Sequence, residues 1–229
     1  MEKIFSIHIP KTAGTFFGQI LQSINPEILF FNYGANSSDT RLFVDGSLED
    51  PPKGECHQSF FFKLIQERED GVSIMHGHVW ENVFYTANPD AKLICWLREP
   101  AQRLFSHYEF FKRHPQPGNK RYENFKNRKQ TFLEFATDQL NVNRQTRVLD
   151  GVLIEEFSSI GIVEKIDRSL KKFSEDFNQN FVIEGSYCLN KNLKRRGEQY
   201  QINETELKVI KEKNEDDYNS YNGILDSFN

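Results

Sequence analysis

The sequence predicts an α/β fold, a mostly parallel sheet flanked by helices, and three observations lead there. Short apolar runs of strand length alternate with stretches of helical period along most of the chain. The first apolar run ends at Ile9 and breaks directly into Pro10-Lys11-Thr12-Ala13-Gly14-Thr15, after which a helix-like pattern begins. The most apolar run, "LICWL" from Leu93 to Leu97, is followed shortly by Pro100, and proline suits the first turn of a helix. Strands separated by helices are the pattern of parallel sheets. Ligands of such sheets sit at the carboxyl ends of the strands.

The elements follow in order. Residues 3–9 read as a strand. Residues 15–24 read as a helix, with Phe16, Ile20 and Ile24 along one side. Residues 28–31 make a second short strand. Residues 34–54 carry Gly, Asn, Ser, Asp and a Pro51-Pro52 pair, and are expected to be mostly loop. A helix is expected over 59–68, a strand over 72–76, the clearest buried strand over 91–97, and a helix from Pro100 to Phe111. Residues 114–130 are polar and basic. A helix over 131–140, a strand over 160–163, a helix over 167–177, a strand over 181–183 and a closing helix over 204–221 complete the chain. No repeat or low-complexity linker divides it, so one domain is expected over 1–229.

Composition narrows the function. The 21 phenylalanines supply core material. The formal net charge of −4 argues against a general nucleic-acid binder. Three cysteines, Cys56, Cys95 and Cys188, without C-x-x-C spacing read as reduced structural thiols. No apolar stretch is long enough for a signal peptide or a membrane span, so a cytoplasmic protein is expected.

Three stretches carry chemistry, all at expected strand ends. In Pro10–Thr15 a strand-to-helix turn aims backbone N–H groups at one point, and the helix dipole adds positive charge there. Gly14 allows close approach, Lys11 adds a full charge, and Thr12 and Thr15 add hydroxyls. The lysine precedes the glycine and the first glycine of G-x-x-x-x-G-K-[ST] is absent, so this is not the Walker pattern. Locally, the turn reads equally as a phosphate- or sulfate-shaped nest or as a capped turn with an exposed lysine. In "LICWLREPAQRLFSHY", Arg98 falls just past the buried strand and Ser106 lies two turns into the next helix. An arginine there can clamp a phosphate with its planar fork, or serve as a salt-bridged helix-entry residue. In "SIMHGHVW", His76 and His78 leave the same strand face roughly 7 Å apart. Histidine is the usual general base near neutral pH. The pair also reads as a metal pair lacking a third ligand of similar spacing, or as a satisfied polar residue at a strand end. His8 and His107 read as structural, and His57 and His114 carry no argument.

Taken together, these stretches resemble a known family. "HIPKTAGTFF" resembles the 5′-phosphosulfate loop of sulfotransferases, in the branch (sulfotransferase family 2) that contains the heparan sulfate and uronyl 2-O-sulfotransferases. "LREPAQRLFSHYEFF" resembles that branch's 3′-phosphate element, in the same order. "MHGHVW", "NRQTRVL" and "IGIVEKIDRSL" extend the likeness over about residues 3–175. The resemblance implies the P-loop NTPase-like sulfotransferase fold in a soluble, bacterial-type member. It implies 3′-phosphoadenosine 5′-phosphosulfate (PAPS) as sulfuryl donor, with no metal required. Lys11, Thr12, Ala13, Gly14, Thr15 and Phe16 would wrap the 5′-phosphosulfate, and Arg98 and Ser106 would hold the 3′-phosphate. Arg195 and Arg196, in Lys194-Arg195-Arg196-Gly197, would close over the donor's phosphates. His78 would be the base, with His76 its partner or an acceptor contact, and Lys11 would stabilise the leaving group.

The acceptor expected is a molecule with a hydroxyl, carbohydrate-like, with an anionic glycan among the candidates. The basic run Lys112, Arg113, Lys120, Arg121, Lys126, Arg128 and Lys129 reads either as a solvated loop or as an arm attracting such an anion. The resemblance places Asn143, Gln145, Thr146 and Arg147, in its N-x-Q-T-R position, near nucleotide and acceptor. Two rivals stand beside this reading. A P-loop-type small-molecule kinase conflicts with the lysine order, and a non-catalytic glycan-binding module on the same fold would have no need of His78 and Lys11.

Overall fold

Strand β1 (Ile4–Ile7) runs through the interior of a seven-stranded sheet of order β4-β3-β2-β5-β1-β6-β7. The structure, a computed structural model, describes residues 3–24, 28–32, 40–44, 47–56, 60, 63, 67, 73–78, 91–149, 152, 154–178, 180–181 and 200–228. Strands β2 (Ile28–Asn32), β5 (Ile74–Gly77), β1, β6 (Lys92–Leu97) and β7 (Ser159–Ile162) are mutually parallel. Strands β3 (Arg41–Val44) and β4 (Ser47–Glu49) add an antiparallel hairpin at one edge. The expected α/β class and mostly parallel sheet are therefore present.

The alternation of side chains along the strands loads two faces. Phe5 and Ile7 of β1, with Leu93, Cys95 and Leu97 of β6, enter one core together with Tyr221 and Phe228. Ile4, Ile74, Ile94 and Trp96 enter the other, against Phe16, Phe17 and Ile20 of α1 (Gly14–Ile24) and Leu170 and Phe173 of α6 (Ile166–Phe177). Each such side chain contributes about 1.5–3 kcal/mol on burial. A third, phenylalanine-rich cluster joins α2 (Pro100–Arg113), α3 (Lys120–Arg128), α4 (Phe132–Thr137) and α7 (Glu204–Lys213) through Leu104, Phe111, Tyr122, Phe135 and Ile210.

Several boundaries differ from expectation. Residues 34–54 were expected as loop, yet Arg41–Val44 and Ser47–Glu49 pair as β3 and β4. The signal was Asp45-Gly46, the hairpin dipeptide, between Val44 and Ser47, which pair directly. The polar segment 114–130 holds α3, which begins where the Asn119 side chain accepts from the N–H groups of Arg121 and Tyr122 at 3.0 and 3.3 Å. The closing helix is two, α7 and α8 (Glu215–Asp226), because Asn214 leaves the helical path. Asn214 is fully buried; its side chain donates to the Ala136 and Ile210 carbonyls and accepts from Asn143 N–H at 3.0 Å. Phe181 is not in a strand, and the rest of 181–183 lies outside the described residues, as does most of 59–68. No helix among the described residues is long and apolar enough to cross a membrane.

The strand order places the site. β5, β1 and β6 are adjacent and parallel, with Ile7 level with Gly77 on one side and Cys95 on the other. The loops that leave these three strands therefore open side by side at one edge.

Candidate active site

The first loop, between β1 and α1, is wound tightly. Lys11 and Ala13 both adopt left-handed backbone, at φ 73 and 64, a conformation that costs non-glycine residues about 1 kcal/mol or more and clusters at ligand sites. Thr12 sits between them, 1% exposed, and its hydroxyl donates to the Ile9 carbonyl at 2.8 Å. The expected hydroxyl donor is thus turned inward and shapes the turn. Phe16 also points inward, into the core beside Ile4 and Ile20, so only its backbone faces the loop. Gly14 opens α1, while Thr15 is exposed. Lys11 is half-buried rather than exposed, with Nζ 4.5 Å above the Phe110 ring. Burial, followed by the charges of Arg98 and Arg113, lowers its pKa to about 8.

The second loop, after β6, carries Arg98. Its guanidinium Nη1 donates to the Lys11 carbonyl at 3.3 Å, joining the two loops. Gln145 of the short helix α5 (Arg144–Val148) holds the Arg98 backbone at both ends, accepting from its N–H and donating to its carbonyl, each at 2.9 Å. Glu164 approaches Arg98 Nε at 3.9 Å, and the Tyr200 ring lies 5.9 Å away. Burial lowers the Arg98 pKa, against the raising effect of Glu164, Tyr200 and Glu99. Ser106 lies two turns along α2 from Arg98, almost fully buried. Arg195 and Arg196 lie outside the described residues.

The third loop brings the histidines. His76 is 1% exposed; its Nδ1 bonds Ser6 Oγ at 2.8 Å and its Nε2 bonds the Gly14 carbonyl at 3.0 Å. A carbonyl only accepts, so Nε2 carries the proton and Nδ1 accepts from the serine. His78 Nδ1 bonds the His8 carbonyl at 2.8 Å. By the same logic Nδ1 of His78 carries the proton, and the basic lone pair of the neutral ring is on Nε2. Burial lowers the pKa of His78, opposed by that bond and reinforced by the charges of Arg121 and Arg144. His76 is pushed further, to about 3, chiefly by burial.

The loops thus unite Lys11, Arg98, His76 and His78, all expected from the sequence. The basic run at 112–129 is divided. Lys112 pairs with Glu109 and Arg128 with Asp138, both on the exposed side, whereas Arg121 is half-buried and close enough to His78 to depress its pKa. Sequence reasoning placed Gln145 near nucleotide and acceptor but missed its clamp on the Arg98 backbone, whose only signal was its place in "NRQTRVL". It also missed Asp217 of α8, which accepts from the N–H groups of Gln145 and Thr146 and from the Thr146 hydroxyl at 3.2, 2.8 and 2.9 Å.

A crystal structure of a sulfotransferase from Alicyclobacillus acidocaldarius superposes with a TM-score of 0.52 at 11% identity, covering 98% of this chain and 96% of that one. The fold is that of a sulfotransferase. The mouse sulfotransferase SULT7A1, solved in complex with PAP, matches at a TM-score of 0.48 and 14% identity, over 81% of this chain. The chain spans 60% of the length of that mouse protein. No family model and no curated protein matches the sequence. Within the sulfotransferase fold, the loops after β1, β5 and β6 form the edge on which the candidate residues converge.

Proposed function

We propose that the protein transfers a sulfuryl group from PAPS to an acceptor hydroxyl, with His78 as general base. The observation that carries this reading is the junction of two loops through the Arg98–Lys11 contact beside a histidine whose lone pair is on Nε2. Burial lowers the pKa of both Lys11 and Arg98, and the charge of Arg98 lowers that of Lys11 further, so each cation lacks a full counter-charge. A polyanion between them reverses that penalty, and in this respect the residues fit the donor. The donor would supply an activated sulfuryl group on a phosphate leaving group.

The chain's own residues do the rest. Backbone N–H groups of Ala13, Gly14, Thr15 and Phe16 at the start of α1, with Lys11, hold the 5′-phosphosulfate, and Thr12 keeps the turn closed. Arg98 and Ser106 hold the 3′-phosphate, with Arg195 and Arg196 contributing from the segment before Tyr200. His78 Nε2 removes the acceptor proton as the hydroxyl oxygen attacks. Lys11 and the loop N–H groups stabilise the charge that develops on the leaving oxygen. Arg121 and Arg144, half-buried beside His78, favour an acceptor that carries its own negative charge, such as a uronate-bearing carbohydrate.

The test is an acceptor screen with ³⁵S-labelled PAPS over neutral and anionic glycans, glycolipids and small alcohols, with thermal shift by adenosine 3′,5′-bisphosphate (PAP) and by ATP alongside. Label transfer, with stabilisation by PAP and not by ATP, is expected. Stabilisation by ATP alone would point to a phosphotransferase. PAP binding without any transfer would leave a binding module.

A further inference from the structure

Between the two histidines of β5 and the turn after it lies a third. His8, the first residue beyond β1, has its ring stacked against His78, with centroids 4.4 Å apart and planes at 18°, and against His76, at 5.3 Å and 13°. The ring is 8% exposed and reaches this place only because residue 14 is glycine: a Cβ there would come within 1.9 Å of His8 Cδ2. The same residue contributes the carbonyl that receives His78 Nδ1–H. One residue therefore sets both the edge and the face of the candidate base.

We propose that His8 is a positioning residue for His78: its imidazole, seated flat between His76 and His78, fixes the plane of the His78 ring so that Nε2 is the nitrogen offered to the acceptor hydroxyl. This rests on the reading of His78 as base. The hydrogen bond at Nδ1 holds one edge of the His78 ring, and the stack on His8 holds its face. A base misplaced by about 1 Å can lose on the order of a hundredfold in rate. The stack also covers one face of His78, and burial is the first cause that keeps the ring neutral. The charged and titratable groups that bear on the stack are His76 from β5, Lys11 from the β1–α1 loop, Arg121 from α3 and Arg144 from α5, and all of them disfavour a further proton.

The experiment is a pH titration of ¹⁵N-histidine-labelled protein by NMR, on wild type, His8→Ala and His8→Phe. Turnover and calorimetric PAP affinity are measured on the same samples. In wild type, His78 should show the Nδ1–H tautomer and titrate below 6.5. In His8→Ala the His78 midpoint should move up toward 6.5, both tautomers should appear, and turnover should fall about a hundredfold while PAP affinity holds. His8→Phe keeps an aromatic face and should restore the single tautomer and most of the turnover. An Nε2–H tautomer of His78 in wild type would overturn the idea without recourse to any variant. So would a His8→Ala protein in which the tautomer and midpoint of His78 are unchanged, or one whose loss of rate matches an equal loss of PAP affinity. The tautomer and midpoint need no acceptor and no transfer. If wild type moves no label from PAPS, the sulfotransferase reading fails while the placement of His78 by His8 is still decided.

Discussion

At His76, burial holds the ring neutral, opposed by the hydrogen bond to the Gly14 carbonyl and reinforced by His78. Both nitrogens are committed, Nδ1 to Ser6 and Nε2 to Gly14, so this ring ties β5 to β1 and to the β1–α1 loop and is poorly suited to take a proton from an acceptor. The two histidines should therefore fail differently. His78→Ala should bind PAP normally and lose about a hundredfold to ten-thousandfold in turnover. His76→Ala should lose PAP affinity along with turnover, because the Gly14 carbonyl loses its anchor; calorimetry and rates on the two variants separate the cases. His76 also makes a statement about stability. Its folded pKa, about 3, lies below the ordinary 6.5, so the neutral ring's contribution is complete above pH 6.5 and is lost as pH falls from there toward 3. The slope for one such group is about 1.4 kcal/mol per pH unit. Denaturant titrations between pH 7 and 4 should show a shallower decline in His76→Asn than in wild type. On the proposed reading Lys11 acts in the transition state, and Lys11→Ala should slow transfer by about a hundredfold or more with the fold intact. Near-normal turnover in that variant would remove the loop from the chemistry.

Among the elements, the β1–α1 unit was the most legible. Apolar run, lysine, glycine and helical period follow one another without interruption, and each has a physical meaning that needs no distant partner. The β3–β4 hairpin was legible too, in Asp45-Gly46, but its strands are so short that Gly, Asn, Ser and Pro nearby outweighed the pair. The break at Asn214 was not readable, since Asn214 leaves the helix for carbonyls of α4 and α7 and a backbone N–H before α5, two of them far away in sequence. The same holds for Gln145 and His8, whose roles depend on which loops the strand order sets side by side. Gly14 shows how local and distant demands meet. The sequence suggests room for a ligand, and the structure adds that the missing Cβ is where the His8 ring lies. Gly14→Ala should therefore disturb the histidine stack as well as the loop, lowering both PAP affinity and the unfolding temperature, as read by calorimetry and thermal melts. A variant with normal affinity and stability would mean that the ring moves aside at little cost.

Across the whole molecule, the C-terminal helices support a site whose reacting groups come from the first half of the chain. Asp217, fully buried on α8, fixes the start of α5; α5 presents Gln145; Gln145 holds the Arg98 backbone. Tyr218 donates to Glu99, and Tyr221 donates to Glu164 at 3.2 Å, so α8 also braces the carboxylates on either side of Arg98. Asp217→Ala should lower the unfolding temperature and weaken PAP binding together, although Asp217 is remote from any expected donor contact; unchanged affinity would show that Arg98 is held without this chain of contacts. The link between Arg98 and Lys11 spans 87 positions, that between His78 and His8 spans 70, and that between Tyr218 and Glu99 spans 119. On a ribosome these partners emerge far apart in time. In the proposed site, the residues that would grip the donor are synthesised well before α8, which braces them. A chain that has not yet gained α8 lacks that brace, and a folded chain that binds the proposed donor is stabilised by it through mass action. On the proposed reading, donor supply in the cell bears on how much of this protein survives as well as on how fast it works.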